Sequence, residues 1–279
     1  MKIAVSSDNH LDVNRIDVEK ALNFQSDWLL GHDISYYFFG GDLFNDFQQT
    51  RNYFSRMRQL LGPRAAAYFI AGNHDMLKNA PHRLVEHCPD PDYLHQQFVD
   101  LPGTRWRVIG NNGWYDYSFS AYANQPRRVA QWKNAYWLDS AIDQPFDDQQ
   151  QMANVLQQVK KQLDDARQAG KQVIFLTHFA PRAELLSPQP SFVSSPRQQY
   201  FYQMFRAMMG SSKLGDLLEQ SGIVKLVFYG HLHGQHPVIT RHGVSYYNQA
   251  VGVRNKRSNE WQANNFFDQW RQTLKIIEL

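Results

Sequence analysis

The chain has 279 residues, with 29 lysines and arginines against 26 aspartates and glutamates, a formal charge of +3 when its 11 histidines are neutral. Hydrophobic residues at 43% and charged residues at 20% exclude disordered, collagen-like and coiled-coil classes, and the length can bury a sizeable core without staples. A charge this close to balance gives no basic stripe that argues for nucleic acid, and the single cysteine, Cys88, rules out an internal disulfide and a thiolate zinc site, so any metal must rest on imidazole and carboxylate.

The opening MKIAVSSDNH holds only the short apolar run Ile3 to Val5, too little for a signal-peptide core, and no window approaches the roughly 18 apolar residues of a membrane span. A cytoplasmic protein with no membrane span is expected. In chain order, Ile3–Ser6 reads as a strand, Asp17–Leu30 as a helix, Ile34–Phe39 as a strand and Thr50–Leu61 as a helix that Gly62-Pro63 stops. Ala66–Ala71 is the next strand. The stretch Arg105–Tyr122 alternates aromatics around Asn111-Asn112-Gly113 and predicts a hairpin, with those aromatics inside. Asn124–Asp139 reads as a loop. Asp147–Ala169 is the clearest helix, its Met152, Val155, Leu156, Val159, Leu163 and Ala166 recurring at three- and four-residue steps before Gly170. Strands follow at Val173–Thr177, Ile223–Tyr229, His236–Thr240, Val244–Asn248 and Thr273–Leu279. Strands alternating with helices, then hairpins, predict two sheets packed face to face in one domain spanning residues 1–279, with 105–139 and 180–197 as candidate lid or cap segments.

What ends each apolar run carries the chemistry. Ile3–Ser6 ends in Ser7-Asp8-Asn9-His10, the next run in Gly40-Gly41-Asp42, the third in Gly72-Asn73-His74-Asp75, the fourth in His178, and the fifth in Gly230-His231-Leu232-His233. Singly, each is ordinary turn chemistry. Turns do not demand imidazole, however, and in α/β sheets the ligand crevice lies beyond the carboxyl ends of the strands, where such termini can converge.

The order Asp-x-His, Gly-Asp, Gly-Asn-His-Asp, His and Gly-His-x-His resembles the calcineurin-like metallophosphoesterase superfamily, from residue 1 to about 250. The resemblance implies an α/β fold, a four-layer α-β-β-α sandwich of two mixed sheets flanked by helices, carrying two metal ions. It implies that Asp8, His10 and His233 hold one metal, that Asn73, His178 and His231 hold the other, and that Asp42 bridges them. His74 would then be the catalytic histidine, protonating the leaving oxygen. Several branches of the family orient this histidine with a carboxylate three residues after the bridging aspartate; here Asn45 stands there and Asp46 follows, so Asn45, Asp46 and Asp75 are the candidate supporting residues. Asp75 would serve its loop at least as much as a substrate. A mixed imidazole and carboxylate set suits Mn²⁺, Fe²⁺ or Zn²⁺ better than Mg²⁺ or Ca²⁺. Two such ions would share a hydroxide that attacks phosphorus in line.

The expected reaction is hydrolysis of a small phosphorylated substrate. The aromatics and arginines between Arg105 and Trp137 favour a phosphodiester or nucleotide over a simple monoester. Nucleic acid is not favoured, and a repair nuclease would need a large further domain for which the length leaves no room. A non-catalytic scaffold with this fold is the alternative; it would show missing ligands, and none is missing. His82, His87 and His95, near Cys88, lack metal-site spacing and read as surface residues, whereas His236 and His242 read as part of the closing strands.

Overall fold

The computed structural model describes every residue except Arg257. Strands form where apolar and aromatic runs lie between turn residues: β1 (Lys2–Ser6), β2 (Ile34–Phe39), β3 (Ala66–Phe69), β4 (Gln97–Asp100), β5 (Trp106–Gly110), β6 (Gln172–Thr177), β7 (Val224–Tyr229), β8 (Ile239–Arg241), β9 (Val244–Asn248) and β10 (Lys275–Glu278). They make two mixed sheets, ordered β10-β1-β2-β3 and β4-β5-β6-β7-β9-β8. In the first, β1, β2 and β3 run parallel and β10 closes the edge antiparallel. In the second, β5, β6, β7 and β9 run parallel between antiparallel β4 and β8. Among the described residues the α-helices are α1 (Val18–Gly31), α2 (Phe47–Leu61), α3 (His82–Glu86), α4 (Pro126–Tyr136), α5 (Asp148–Gln168), α6 (Pro196–Ala207), α7 (Ser212–Gln220) and α8 (Phe266–Thr273).

The strands are apolar throughout because both faces are covered. Ile3 and Val5, Phe38, Val108, Ile174 and Leu176, and Phe228 point between the sheets. Their neighbours Ala4, Phe39, Ile109, Phe175 and Val227 join the core beneath the helices. Alternation of period two thus builds the four α-β-β-α layers, each buried large side chain contributing roughly 1.5–3 kcal/mol. Helix boundaries follow their caps: Asp17, Asp46 and Asp147 each accept a backbone N–H of the first turn, and Gln150 completes a capping box with Asp147.

Four expectations are corrected. Asn111-Asn112-Gly113 does not turn a hairpin; β5 runs parallel to β6, and the Asn111 N–H continues that pairing to Leu176 O. Asn112 is drawn into the core instead, accepting from Ala71 N at 3.0 Å and donating to Tyr93 Oη at 2.7 Å, so the antiparallel partner of β5 is the preceding β4. Trp114, Tyr115 and Tyr117 are buried as expected, but in irregular chain rather than strands. Asn124–Asp139 contains α4, which starts at Pro126 and buries Val129, Trp132 and Lys133 on one face. The closing strands start later than expected, because His236 precedes β8 and Thr273 ends α8. The β8–β9 hairpin does form, its His242 and Gly243 at φ 47° and 78°, as a two-residue turn of primed type requires. No described helix is long and apolar enough to cross a membrane.

Candidate metal centre

All five motif-bearing strands, β1, β2, β3, β6 and β7, deliver their following residues to one end of the sandwich, where the two sheets meet. The chain turns sharply there: Asp8, His10, Asp42 and His231 adopt left-handed φ of 55°, 44°, 63° and 64°. Such conformations cost on the order of 1–3 kcal/mol each and persist only where surrounding structure over-determines them. Here the backbone is tied to side chains of the site. His231 N–H donates to Asp8 Oδ1 at 3.0 Å, and His74 N–H donates to Asp42 Oδ1 at 2.8 Å. Close approach also dictates glycine, since a Cβ at Gly72 would collide with Asp42 Oδ1.

Three groups of side chains each bring ligand atoms within 4.8 Å of one another: Asp8, His10 and His233; His10, Asp42 and His74; Asp42, His178 and His231. In the first, His233 Nε2 lies 3.2 Å from Asp8 Oδ1 and 3.1 Å from His10 Nε2. His10 Nε2 lies 3.7 Å from Asp42 Oδ2. On the other side of Asp42, His178 Nε2 lies 3.3 Å from Asp42 Oδ2 and 3.1 Å from Asn73 Oδ1, and His231 Nδ1 lies 3.0 Å from the same Asn73 oxygen.

The far ring nitrogens show which atoms are free. His178 Nδ1–H donates to Gly40 O at 2.9 Å, and His233 Nδ1–H donates to the Glu260 carboxylate at 2.8 Å. Both rings are thus anchored through Nδ1 and turn Nε2, the atom that would serve as a ligand, toward neighbours that are themselves acceptors. Ligand atoms about 3 Å apart, which a proton or a cation must hold together, have the spacing of ligands around one cation at about 2.1 Å. The donor set fits divalent metals of the Mn²⁺, Fe²⁺ and Zn²⁺ kind. The side chains by themselves favour a proton at the same places. Burial lowers the His178 ring, but the Asp42 carboxylate outweighs it and brings the ring up to about 9. Burial likewise opposes a proton on His233, yet Asp8 and Glu260 carry it to about 10. Burial and neighbouring imidazoles keep His10 and His231 well below the usual histidine range. Burial pushes Asp42 up, and the surrounding imidazoles hold it well below the usual carboxylate range. The cluster draws positive charge into its centre.

The supporting residues separate. Asn45 Oδ1 accepts from His74 Nδ1 at 2.6 Å, whereas Asp46 caps α2 and holds Asn79. Asp75 faces its own loop, accepting from the backbone of Asp42, Leu43, Phe44 and Gly72 and from Thr50 Oγ1. Burial and the Asp42 charge push its carboxyl up to about 6 against those hydrogen bonds. Sequence reasoning missed Glu260, which follows His233 by 27 residues in a polar tail with no motif, and Asp139, which accepts from Asn73 Nδ2 at 2.8 Å. Of the histidines read as surface residues, His95 is buried instead, accepting from Asn112 N–H and facing Glu86. His236 lies in the pocket wall, tied to Leu185 O and His233 O.

A pocket of about 490 Å³ opens onto Asp42, Asn73, His74, His231 and His233. Its opposite wall comes from both candidate cap segments, from α6 and from the residue beyond its C-terminal cap: Trp137 and Leu138, Leu186, Pro188 and Pro190, then Tyr202 and Phe205, and Met209.

Residues 1–235 match the family model described as calcineurin-like phosphoesterase. Among solved structures, a dimetal phosphatase from Danio rerio is similar at a TM-score of 0.52 and 12% identity, over 89% of this chain and 86% of that one. The GAP50 anchor in the inner membrane complex of Plasmodium is similar at 0.46 and 13% identity, over 92% and 76%. The sulfate thiohydrolase SoxB of Thermus thermophilus is similar at 0.44 and 10% identity, over 89% and 51%. No curated protein matches the chain. The structural likenesses, at such identities, concern the fold alone. The family match covers most of the sequence and the candidate ligand groups agree with a metal-dependent phosphoesterase; the chain belongs to the calcineurin-like phosphoesterase family.

Proposed function

We propose that the chain hydrolyses a phosphoester, with a phosphodiester or nucleotide preferred over a simple monoester, at a centre of two divalent cations of the Mn²⁺, Fe²⁺ or Zn²⁺ class. Asp8, His10 and His233 would hold one cation, Asn73, His178 and His231 the other, and Asp42 would stand between them. The observation that carries this reading is the convergence of ligand atoms within 4.8 Å in groups that share His10 and Asp42, with His178 Nε2 3.1 Å from Asn73 Oδ1 beside them. When bound, the cations would supply Lewis-acid charge for the phosphoryl oxygens and an activated water.

The chain's own residues supply the rest. Asn45 holds the His74 ring by Nδ1–H, and the doubly protonated ring would hand its Nε2–H to the departing ester oxygen and be left neutral. An amide oxygen orients the ring without adding a negative charge beside an anionic substrate. The apolar wall around Trp137 and Phe205 gives the body of an ester group a dry face to lie on, and this supports the preference for a diester or nucleotide. With every ligand position of the motif filled, catalysis is favoured over a scaffold role.

The test is hydrolysis of an aryl monoester, a bis-aryl diester and a nucleotide panel by chelator-stripped protein with Mn²⁺ restored, wild type against Asp42→Asn. Activity should require Mn²⁺, and Asp42→Asn should lose more than the roughly 10²–10⁴-fold that a general acid alone contributes. Absence of Mn²⁺-dependent hydrolysis of every ester, together with no bound metal, would sink the reading. Diester hydrolysis that survives Asp42→Asn would remove Asp42 from its central place.

A further inference from the structure

Asp139 lies in the short 3₁₀ turn Leu138–Ala141 after α4, only 2% exposed. Its Oδ1 accepts from Asn73 Nδ2 at 2.8 Å, and its Oδ2 accepts from Tyr115 Oη at 3.0 Å and Trp137 Nε1 at 2.9 Å. Three donors converge on a group that, ionised, can only accept. A side-chain amide has no such restriction, because it carries a carbonyl on one side and an NH₂ on the other. The carboxylate fixes which way Asn73 faces: its NH₂ must turn toward Asp139, and its Oδ1 then meets His178 Nε2 and His231 Nδ1 at 3.1 and 3.0 Å. Reversed, the amide would set a lone pair against a carboxylate.

We propose that Asp139 is a positioning residue that locks the Asn73 amide in its cation-binding orientation and, through Trp137, registers the cap wall of the pocket to the metal centre. The inference rests on Asn73 being a cation ligand, as proposed above. The same carboxylate serves both sides of the pocket, since the Trp137 indole it holds lines the cavity and stands edge-on to Phe205, with ring centroids 5.1 Å apart.

The isosteric change Asp139→Asn keeps the volume and restores the ambiguity. Measured by calorimetry on the chelator-stripped full chain, Mn²⁺ affinity should fall by about 10–100-fold. The double variant Asp139→Asn with Asn73→Asp exchanges the partners: the amide now at position 139 donates to the carboxylate at position 73, while its oxygen still accepts from Tyr115 and Trp137. It should regain most of the lost affinity, and bind Mn²⁺ more tightly than Asn73→Asp alone, in which two carboxylates face each other, a coupling that the added charge at position 73 would not by itself produce. Trp137→Phe leaves two donors on Asp139, so Mn²⁺ affinity should hold while KM for the bis-aryl diester rises. An Asp139→Asn protein that binds Mn²⁺ like wild type overturns the proposal, as does a double variant that fails to fold or to recover affinity. If the single variant does not fold, recovery of Mn²⁺ binding by the double variant upholds it. A wild type without Mn²⁺ binding refutes the function proposed above instead.

Discussion

Two walls face each other across the pocket, and they are built on opposite principles. The strand-end wall is polar, buried and held by its own backbone: Asp8 and His10 are fully buried, in left-handed turns, and Asp42 is bound by hydrogen bonds from His74 N–H and to Asp75. The cap wall is mostly apolar, with Ser187, Tyr202 and Arg206 as its polar members, and open, with Leu138 and Phe205 each 46% exposed and Phe192, near its edge in sequence, 70% exposed. Charged groups aimed at a reacting centre need fixed geometry, because reorienting dipoles during reaction raises the barrier. Apolar contact has no direction to preserve. On the function proposed above, the difference would put chemistry on one wall and substrate choice on the other.

The sharpest way to break this division is at His74, which stands on the polar wall. His74→Ala should lower kcat on the bis-aryl diester by about 10²–10⁴-fold, while Mn²⁺ affinity measured by calorimetry stays close to wild type. A variant that loses metal as well would make His74 a ligand, which its place in the group with His10 and Asp42 allows. A variant with unchanged kcat would move the proton donor elsewhere.

Phe205→Ala tests the other wall, with a smaller effect of the opposite kind. Removing a ring that lines the pocket should raise KM for an aryl ester by about tenfold, equivalent to about 1.4 kcal/mol, and leave kcat for a methyl ester unchanged. A fall in kcat for both esters would show that the cap wall shapes the reacting geometry and would erase the contrast.

The same contrast explains what was legible in the sequence. Every residue of the strand-end cluster follows an apolar run within a few positions, so motif order alone brings Asp8, His10, Asp42, Asn73, His74, His178, His231 and His233 to one end of the sheets. The cap wall gives no such signal. Helix α6 turns Met204 and Ala207 into the core and Phe205 toward the pocket, so its apolar residues do not mark one face, and the buried face of α4 holds only Val129, Trp132 and Lys133, too short an apolar stripe to signal a helix. Asp139 and Glu260 reach their partners across 66 and 27 residues through single hydrogen bonds, which no local pattern encodes. The hairpin expected at Asn111–Gly113 failed because Asn112 satisfies the backbone of Ala71 rather than a turn of its own.

That last contact gives the smallest of the tests, since it anchors the polar wall from behind. Ala71 N–H donates to Asn112 Oδ1 at 3.0 Å, Asn112 N–H donates to His95 Nδ1 at 3.1 Å, and His95 Nε2 faces Glu86 Oε1 at 3.5 Å. Glu86 also accepts from Gln158 of α5 and from Gln96, each at 2.9 Å. Burial pushes the Glu86 carboxyl up, but the hydrogen bonds from His95 and Gln158 and the His95 charge outweigh it and hold the group at about 2. A folded-state value below the unfolded 4.5 means that the unfolded chain binds the extra proton. The contribution of Glu86 to stability is then complete above about pH 4.5 and disappears as pH falls toward 2. Glu86→Gln removes this dependence. The Tm advantage of wild type over the variant, a few degrees near neutrality, should stay level from pH 7 to about 5 and shrink from there to pH 3. An advantage that is constant down to pH 3 would mean that Glu86 does not hold the relay by its charge, and that the polar wall rests on the Asn112 amide alone.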